Sequence, residues 1–279
     1  MSNISVVIPT HNREPYLSEA ISSVAHQTAP PAELIIVDDL GRHETVDCID
    51  SLRSSAPFPI LYLRNSQRDG APTSRNIGAW AASSDYLAFL DDDDRWHSHF
   101  IDLLLRRLDG STADFAIAWC RKFWDDGVKD SMAMPENVNL DWALRENPGF
   151  SGQNFVIRRE AFAQVGGFDP EAPMKHDWEL LVRLLAGGYS YVVVDQRLVD
   201  IRIHDGPRVS TRRGTEISRE FDGKRYFYRK HRAHMSFGTR LSWYYTFGRL
   251  YVRDASRPRL LRWALSPVVR LLRQARKLR

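Results

Sequence analysis

The sequence predicts an α/β fold with a mostly parallel central sheet, followed by a basic α-helical C-terminal tail. Three observations predict it. Short β-branched runs alternate with helical patterns in the first third of the chain, polar clusters follow three of the strands, and basic residues concentrate after residue 207. Strands that alternate with helices are typical of βαβ units, in which helices cover both faces of a parallel sheet.

The N-terminal elements follow from the spacing of apolar residues. Short apolar runs predict buried strands at residues 4–8, 34–37, 58–63 and 86–90. Apolar positions three and four residues apart predict the intervening helices: one begins near Pro15, one runs through Leu52, and an Ala-rich one covers residues 72–82.

The second half of the chain is less regular. Its apolar runs predict strands at residues 113–120, 189–194 and 198–203. A short helix is expected before Gly166 and Gly167. A longer one is expected over residues 176–186, where the following pair of glycines is a helix-end signal.

Composition favours a soluble globular protein in a reducing compartment. Of the 279 residues, 43% are hydrophobic and 27% are charged. The two cysteines, Cys48 and Cys120, are far apart and form no CxxC pair, which argues against a disulfide framework or a zinc site. The N-terminus has no basic leader, and no apolar stretch reaches the length of a membrane span, so a cytoplasmic location is expected.

Charge divides the chain into an acidic body and a basic tail. Residues 208–279 hold 20 of the 39 basic and 4 of the 35 acidic side chains, a net charge of +16, which leaves −12 on residues 1–207. The tail interleaves aromatic and basic residues at 224–232 and 241–253, and a basic amphipathic helix is expected after Ser266 and Pro267.

An anionic membrane surface is the favoured partner for this tail. The alternatives are packing against the acidic body or against a second subunit in a homodimer. Nucleic acid is disfavoured as a partner, because the other end of the chain is acidic.

Polar residues crowd the carboxyl ends of the predicted strands. Residues 10–13 read THNR, Asp38 and Asp39 follow the second strand, and residues 91–94 are four consecutive aspartates. Ligands of parallel sheets bind beyond these strand ends. The sequence therefore predicts an acidic binding site at one edge of the sheet.

The four aspartates indicate a cation site. Adjacent carboxylates repel by about 1 kcal/mol per pair even in water, so a partner should offset the repulsion. Extended geometry would place Asp91 and Asp93 on one side and Asp92 and Asp94 on the other. Two carboxylates on one side suit Mg²⁺, which completes its coordination with phosphates and water. The alternative, Asp94 as a helix N-cap, accounts for one of the four residues.

Seven segments in order resemble the inverting GT-A glycosyltransferases of family 2, over about residues 3–210. They are VVIPTHNRE (6–14), IIVDD (35–39), TSRNIGA (73–79), FLDDDDRW (89–96), IRREAFAQVGGFD (157–169), HDWELLVRL (176–184) and RIHDGPRVS (202–210). The resemblance implies a GT-A fold with a nucleotide-sugar-binding half at residues 1–110 and an acceptor-binding half at residues 111–210. Residues 211–279 form the basic helical region beyond it.

The resemblance also implies a donor site. The donor is expected to be a nucleotide-diphospho-sugar. Pro9, His11 and Asp39 match positions that hold the base and ribose, and Arg75 lies in the nucleotide-side loop. Asp39 as a helix cap and His11 as an ordinary loop histidine are the alternatives to these roles.

The remaining roles concern the metal and the chemistry. Asp91 and Asp93 match the DXD pair on a divalent metal, Mg²⁺ or Mn²⁺, and Asp92 lies beside the ribose and donor sugar. Asp177 matches the general base, and His204 matches a position near the metal or diphosphate. The alternatives are a first-turn helix carboxylate for Asp177 and an ordinary loop histidine for His204.

Two departures from the family pattern concern recognition. His176 stands where the family usually has an acid before the base, and Leu40-Gly41 replaces a common Gly-Ser. Both leave intact the residues that the mechanism needs.

The predicted activity is metal-dependent, inverting transfer of a sugar to the hydroxyl of a saccharide or lipid-linked saccharide. By analogy, this reaction is expected to belong to surface polysaccharide or glycolipid synthesis at the inner face of the membrane. A sugar nucleotidyltransferase would need a Gly-rich basic loop after the first strand, where this chain has PTHNRE. An inactive nucleotide-sugar-binding scaffold would be expected to lack Asp91, Asp93 or Asp177, and all three are present.

Overall fold

The computed structural model describes residues 3–39, 43–54, 56–66, 70–124, 127–203 and 216–253. The strands are β1 Ile4–Thr10, β2 Glu33–Asp38, β3 Ile60–Arg64, β4 Tyr86–Phe89, β5 Arg95–Trp96, β6 Phe115–Trp124, β7 Gly127–Met132, β8 Phe155–Arg158 and β9 Tyr191–Arg202. The helices are α1 Glu14–Ala25, α2 His43–Arg53, α3 Ala71–Ala81, α4 Phe100–Asp109, α5 Leu140–Ala143, α6 Arg159–Gln164, α7 His176–Ala186, α8 Glu216–His231 and α9 Phe237–Arg253.

All nine strands belong to one sheet, in the order β3-β2-β1-β4-β8-β6-β9-β5, with β7 paired to β6. Strands β3, β2, β1 and β4 run parallel to one another. Beyond β4 the pairing is mixed, because β8 runs antiparallel to both β4 and β6, while β6 and β9 are parallel. The predicted α/β class is confirmed, and the antiparallel strands lie on the side of the second half of the chain.

Two apolar cores cover the two faces of this sheet. On β1, Val7 faces one core, which includes residues of α3, α6 and α7, while Val6 and Ile8 face the other, which includes residues of α1 and α4. Strands buried on both faces need apolar residues at successive positions, and β1 is fully buried along its length. This explains why the strand runs were continuous rather than alternating.

Helix α3 lies unusually close to the sheet. A Cβ on Gly78 would overlap the side chain of Val7, so glycine at this position allows the helix to contact β1 directly. The close contact holds the N-terminal half of α3, which carries Arg75, near the carboxyl ends of β1 and β2.

Strand β9 differs from the prediction, because the two expected strands are one continuous element. Residues 195–197 are exposed and polar, which interrupted the apolar pattern in the sequence. The pairing register of β6 with β9 shifts at Ala118, Trp119 and Cys120, and this irregularity accommodates the polar residues within the strand.

Helices α8 and α9 pack against the body through aromatic rings. Trp178 of α7 stacks on Phe227 with ring centroids 4.2 Å apart, and Trp243 lies 6.0 Å from the same indole. The Trp243 Nε1–H donates to the carbonyl of Leu144 at 2.8 Å. The described part of the basic region therefore docks on the body by one face. Residues 254–279, including the helix expected after Ser266, lie outside the described residues.

Within the described ranges, no helix combines the length and the apolar character that crossing a membrane requires.

Candidate active site

A cleft of about 650 Å³ opens at the carboxyl ends of β1, β2 and β4. Its walls come from both halves of the chain: α3 and the segment after β4 in the first half, and the first turn of α7 and the end of β9 in the second. The predicted site residues that line it are Pro9, His11, Asp39, Arg75, Asp91, Asp92, Asp93 and Asp177. His204 lies outside the described residues.

The four aspartates form a turn rather than an extended segment. The backbone N–H of Asp94 donates to the carbonyl of Asp91 at 3.1 Å. Burial nevertheless alternates as expected, since Asp91 and Asp93 are partly exposed while Asp92 and Asp94 are buried. The N-cap alternative for Asp94 is wrong, because α4 begins at Phe100 with His99 as its N-cap.

Asp92 is held against the end of β1. Its carboxylate accepts hydrogen bonds from the Thr10 hydroxyl at 2.9 Å and from the His11 backbone N–H at 3.2 Å. Burial, with repulsion from Asp93, still raises the pKa of Asp92 to about 7. The hydrogen bonds to Asp92 therefore do not offset the unfavourable burial of its charge beside Asp93.

Asp94 anchors the turn to the second half of the chain. Its carboxylate accepts the Arg202 backbone N–H at 2.7 Å and the Gln153 side-chain amide at 2.6 Å. Burial and then the charges of Asp93 and Asp91 raise the pKa of Asp94 well above its ordinary value. Neutral donors hold this carboxylate in place without neutralising its charge.

Two arginines reach the partly exposed pair of carboxylates. Arg13 is paired with Asp93, and the buried Arg75, which lies on α3 rather than in a loop, is paired with Asp91. A Cβ on Gly152 would lie 3.3 Å from Nη2 of Arg75, so glycine there leaves room for the guanidinium. These cations orient the two carboxylates toward the cleft.

The carboxylate turn fits a divalent cation. One oxygen each from Asp91, Asp93 and Asp94 can lie within 4.8 Å of the others. Carboxylate oxygens are the preferred ligands of Mg²⁺ and suit Mn²⁺ as well. Asp91 and Asp93 are the accessible members, and both oxygens of Asp94 already accept hydrogen bonds from the protein.

A second polar group lies at the end of β2. The His11 Nδ1 atom is 3.2 Å from a carboxylate oxygen of Asp39. The other Asp39 oxygen accepts hydrogen bonds from the Asn65 amide at 2.9 Å and from the Gly70 backbone N–H at 3.2 Å. Gly70 has a φ of 86° and precedes α3, so it connects Asp39 to the helix that carries Arg75.

Asp177 and His176 open helix α7, and both line the cleft. Lys175, in a left-handed conformation with φ 61°, is the N-cap residue and turns the chain into the helix. Burial raises the pKa of Asp177, and Arg75 opposes this shift only in part. Burial and then the charge of Arg75 lower the pKa of His176 to about 4, so its imidazole is neutral near pH 7.

Sequence reasoning did not assign roles to several residues of the site. Arg13 and Thr10 stood in the recognised polar cluster, but their partnership with the aspartates could not be read from it. The contacts of Gln153 and Arg202 with Asp94 could not be read from the sequence, because the partners are 59 and 108 positions apart.

Comparison with known proteins gives one consistent result. The family model for glycosyl transferase family 2 matches residues 5–166. YwdF of Bacillus subtilis (strain 168), named as an uncharacterized glycosyltransferase, is 37% identical over 186 residues, which are 64% of this chain and 67% of YwdF. TuaG of the same organism, a putative teichuronic acid biosynthesis glycosyltransferase, is 26% identical over 203 residues, covering 72% and 79% of the two chains.

A solved structure is similar in fold. S. aureus TarS in complex with UDP-GlcNAc has a TM-score of 0.66 at 17% sequence identity, and the match covers 89% of this chain and 80% of that one. At this identity the likeness concerns the fold, which is the GT-A fold expected from the sequence motifs.

Proposed function

The chain belongs to glycosyl transferase family 2, and from that premise we propose that it is an inverting, metal-dependent enzyme. It transfers a sugar from a nucleoside-diphosphate sugar to an acceptor hydroxyl. The observation that carries the proposal is the position of Asp177, which lines the same cleft as the aspartates of residues 91–94. The UDP-GlcNAc in the TarS structure supports a donor of this class.

On the donor side, we assign the base and ribose to His11 and Asp39, and the ribose and sugar to Asp92. A divalent cation bound by Asp91 and Asp93 would supply positive charge to the departing diphosphate. Arg75 and Arg13 hold those two carboxylates in position.

On the acceptor side, Asp177 is the general base. The acceptor oxygen attacks the anomeric carbon while its proton passes to the Asp177 carboxylate, and the bond from that carbon to the diphosphate oxygen breaks. The diphosphate leaves with the bonding electron pair, and a single displacement inverts the anomeric carbon. A raised pKa makes Asp177 a stronger base than an ordinary aspartate, and neutral His176 adds no charge beside it.

The acceptor we propose is a saccharide or a lipid-linked saccharide in the synthesis of a surface polysaccharide or glycolipid. The name of TuaG, which refers to teichuronic acid biosynthesis, supports this class. A lipid-linked acceptor would bring the enzyme to the cytoplasmic face of the membrane.

Calorimetric titration tests the donor site. UDP, GDP, dTDP and CDP are each titrated with and without Mn²⁺ or Mg²⁺ into the wild type, Asp93→Ala and the control Asp102→Ala, whose side chain pairs with Arg106 on α4. We expect one nucleotide to bind in a metal-dependent manner, with binding lost in Asp93→Ala and kept in Asp102→Ala. Folded protein that binds none of the four would overturn the proposal in favour of a scaffold role.

A further inference from the structure

The outward side of the α8–α9 pair carries a surface that the proposed reaction does not use. We call it the helical seam and define it by Tyr228, Arg232, Phe237, Arg240 and Tyr244. Its members are neighbours: the hydroxyls of Tyr228 and Tyr244 are 3.4 Å apart, and Arg240 donates to the backbone carbonyl of Arg232 at 3.0 Å.

Large aromatic side chains stand open to solvent along this seam. The side chain of Phe237 is 80% exposed and that of Tyr244 is 58% exposed. They are seven residues apart on α9, so both lie on one face of the helix, two turns apart. Exposing rings in this arrangement is unfavourable in water unless another phase or partner covers them.

The charge around these rings has one sign. Residues 223–253 contain eight Lys and Arg and no Asp or Glu. Lys224 and Lys230 pair with acidic residues of α8 and of the body. Arg232 and Arg240 are exposed, and within the described residues neither forms an ion pair with a carboxylate.

The inner face of the same helices is already satisfied. Phe227 and Trp243 stack on Trp178, and Lys230 pairs with Asp169 and Glu179. The helices are thus fixed by one face, and the aromatic and arginine side chains of the seam are presented on the other.

We propose that the helical seam docks on an anionic lipid surface, with Phe237 and Tyr244 at the headgroup boundary and Arg232 and Arg240 against lipid phosphates. Aromatic rings and cationic side chains on one helix face are the combination that binds this interface. Charge argues against the chain's own C-terminus as the cover, since residues 254–279 hold eight basic residues and one acidic residue.

Vesicle co-sedimentation of the full chain tests the proposal. Vesicles of phosphatidylcholine with 30% phosphatidylglycerol are compared with phosphatidylcholine alone, for the wild type, Phe237→Ser/Tyr244→Ser and Arg232→Gln/Arg240→Gln. Matched controls are Trp80→Ser, whose side chain on α3 is 52% exposed, and Arg106→Gln/Arg107→Gln on the exposed side of α4.

We expect wild type and controls to bind the anionic vesicles alike and to release them at high salt. The variant Arg232→Gln/Arg240→Gln should bind roughly 30-fold more weakly, because each basic residue near an anionic surface contributes about 1 kcal/mol. Equal binding by the seam variants, or no binding by the wild type, would overturn the proposal. A dimer seen by analytical ultracentrifugation and lost in the seam variants, without vesicle binding, would assign the surface to a second copy. None of these outcomes depends on the transferase reaction.

Discussion

Two groups of carboxylates, one in the cleft and one beneath α8, have pKa values that are shifted in opposite directions. In the cleft, burial raises the pKa values of Asp92, Asp94 and Asp177. Beneath α8, burial alone would raise the pKa of Glu179, but hydrogen bonds from His231 and Arg183, the Arg183 charge and Lys230 lower it to about 2. The pKa of Asp169 is lowered through Lys230 and Tyr226 despite its burial.

The difference separates a binding site from a structural one. The carboxylates under α8 are saturated by cations of the chain, so they stabilise the docking of that helix. The pKa values of the cleft carboxylates stay raised despite hydrogen bonds and two arginines. We therefore expect a bound cation to stabilise these carboxylates further. A bound cation would account for four consecutive aspartates at the end of a buried strand.

Asp177→Asn is expected to have the largest effect and to separate the two groups. Loss of a general base should lower kcat by about 1,000-fold, equivalent to about 4 kcal/mol. The free energy of unfolding should stay constant or rise, because the variant removes a buried carboxylate with a raised pKa. Release of the nucleotide that calorimetry identifies measures kcat. Urea unfolding measures the free energy of unfolding.

The pH profile gives an independent check on Asp177. Because only the deprotonated carboxylate accepts a proton, wild-type kcat should rise with pH through a pKa above the ordinary aspartate range. Residual activity of Asp177→Asn should lack this acid limb. An unchanged profile in the variant would remove Asp177 from the role of base.

Glu179→Gln, in contrast to Asp177→Asn, should lower the free energy of unfolding. It leaves the cations around it without their carboxylate, which costs about 3 kcal/mol of unfolding free energy. Glu160→Gln on the exposed surface of α6 is the matched control and should change stability by less than about 0.5 kcal/mol. Equal urea midpoints for the two variants would show that the cluster under α8 adds no stability.

Acid should release the same stabilisation in the wild type. The pKa of Glu179 falls from an ordinary 4.5 to about 2 on folding, so its contribution is complete above pH 4.5 and is lost as pH falls toward 2. The shift is worth roughly 3 kcal/mol. Unfolding free energies measured across this window should fall more steeply for the wild type than for Glu179→Gln, and parallel curves would contradict the assignment.

Gly223→Ala tests the contact between α8 and the cleft, and its expected effect on stability is the smallest of these variants. A Cβ on Gly223 of α8 would overlap Met174, which lines the cleft. Overpacking should cost about 1 kcal/mol in the wild type. In a Met174→Ala background the same change should stabilise by up to about 1 kcal/mol, since alanine favours the helix. Additive effects in this double-mutant cycle would exclude the contact.

The sequence was sufficient for the parallel strands and for the polar residues at their ends, because both follow from local patterns. Asp91 and Asp93 could be assigned to one side of the segment, although a turn rather than an extended strand puts them there. The function of Asp94 as an anchor could not be predicted, since its partners, Gln153 and the Arg202 N–H, are distant in sequence.

The docking of α8 was also beyond local patterns. Lys230 stands in a basic run that is typical of a solvated helix face, and nothing near it in sequence indicates Glu179 as its partner. Similarly, the apolar spacing over residues 176–186 predicts the helix that carries Trp178 but not the partners of its ring. The stacking of this ring on Phe227 and Trp243 required knowing which helices meet.

The continuous sheet has a mechanical consequence for turnover. Strands β4 and β8 pair directly at Tyr86–Arg158, Leu87–Ile157 and Ala88–Val156, so hydrogen bonds join the N-terminal parallel strands to the strands of the second half. Rotation of one half against the other would break this ladder, so the described residues offer no hinge in the sheet beneath the cleft. We therefore expect ligands to enter and leave by local motion at the rim of the cleft, so that short segments rather than movement of a whole half of the chain limit the exchange.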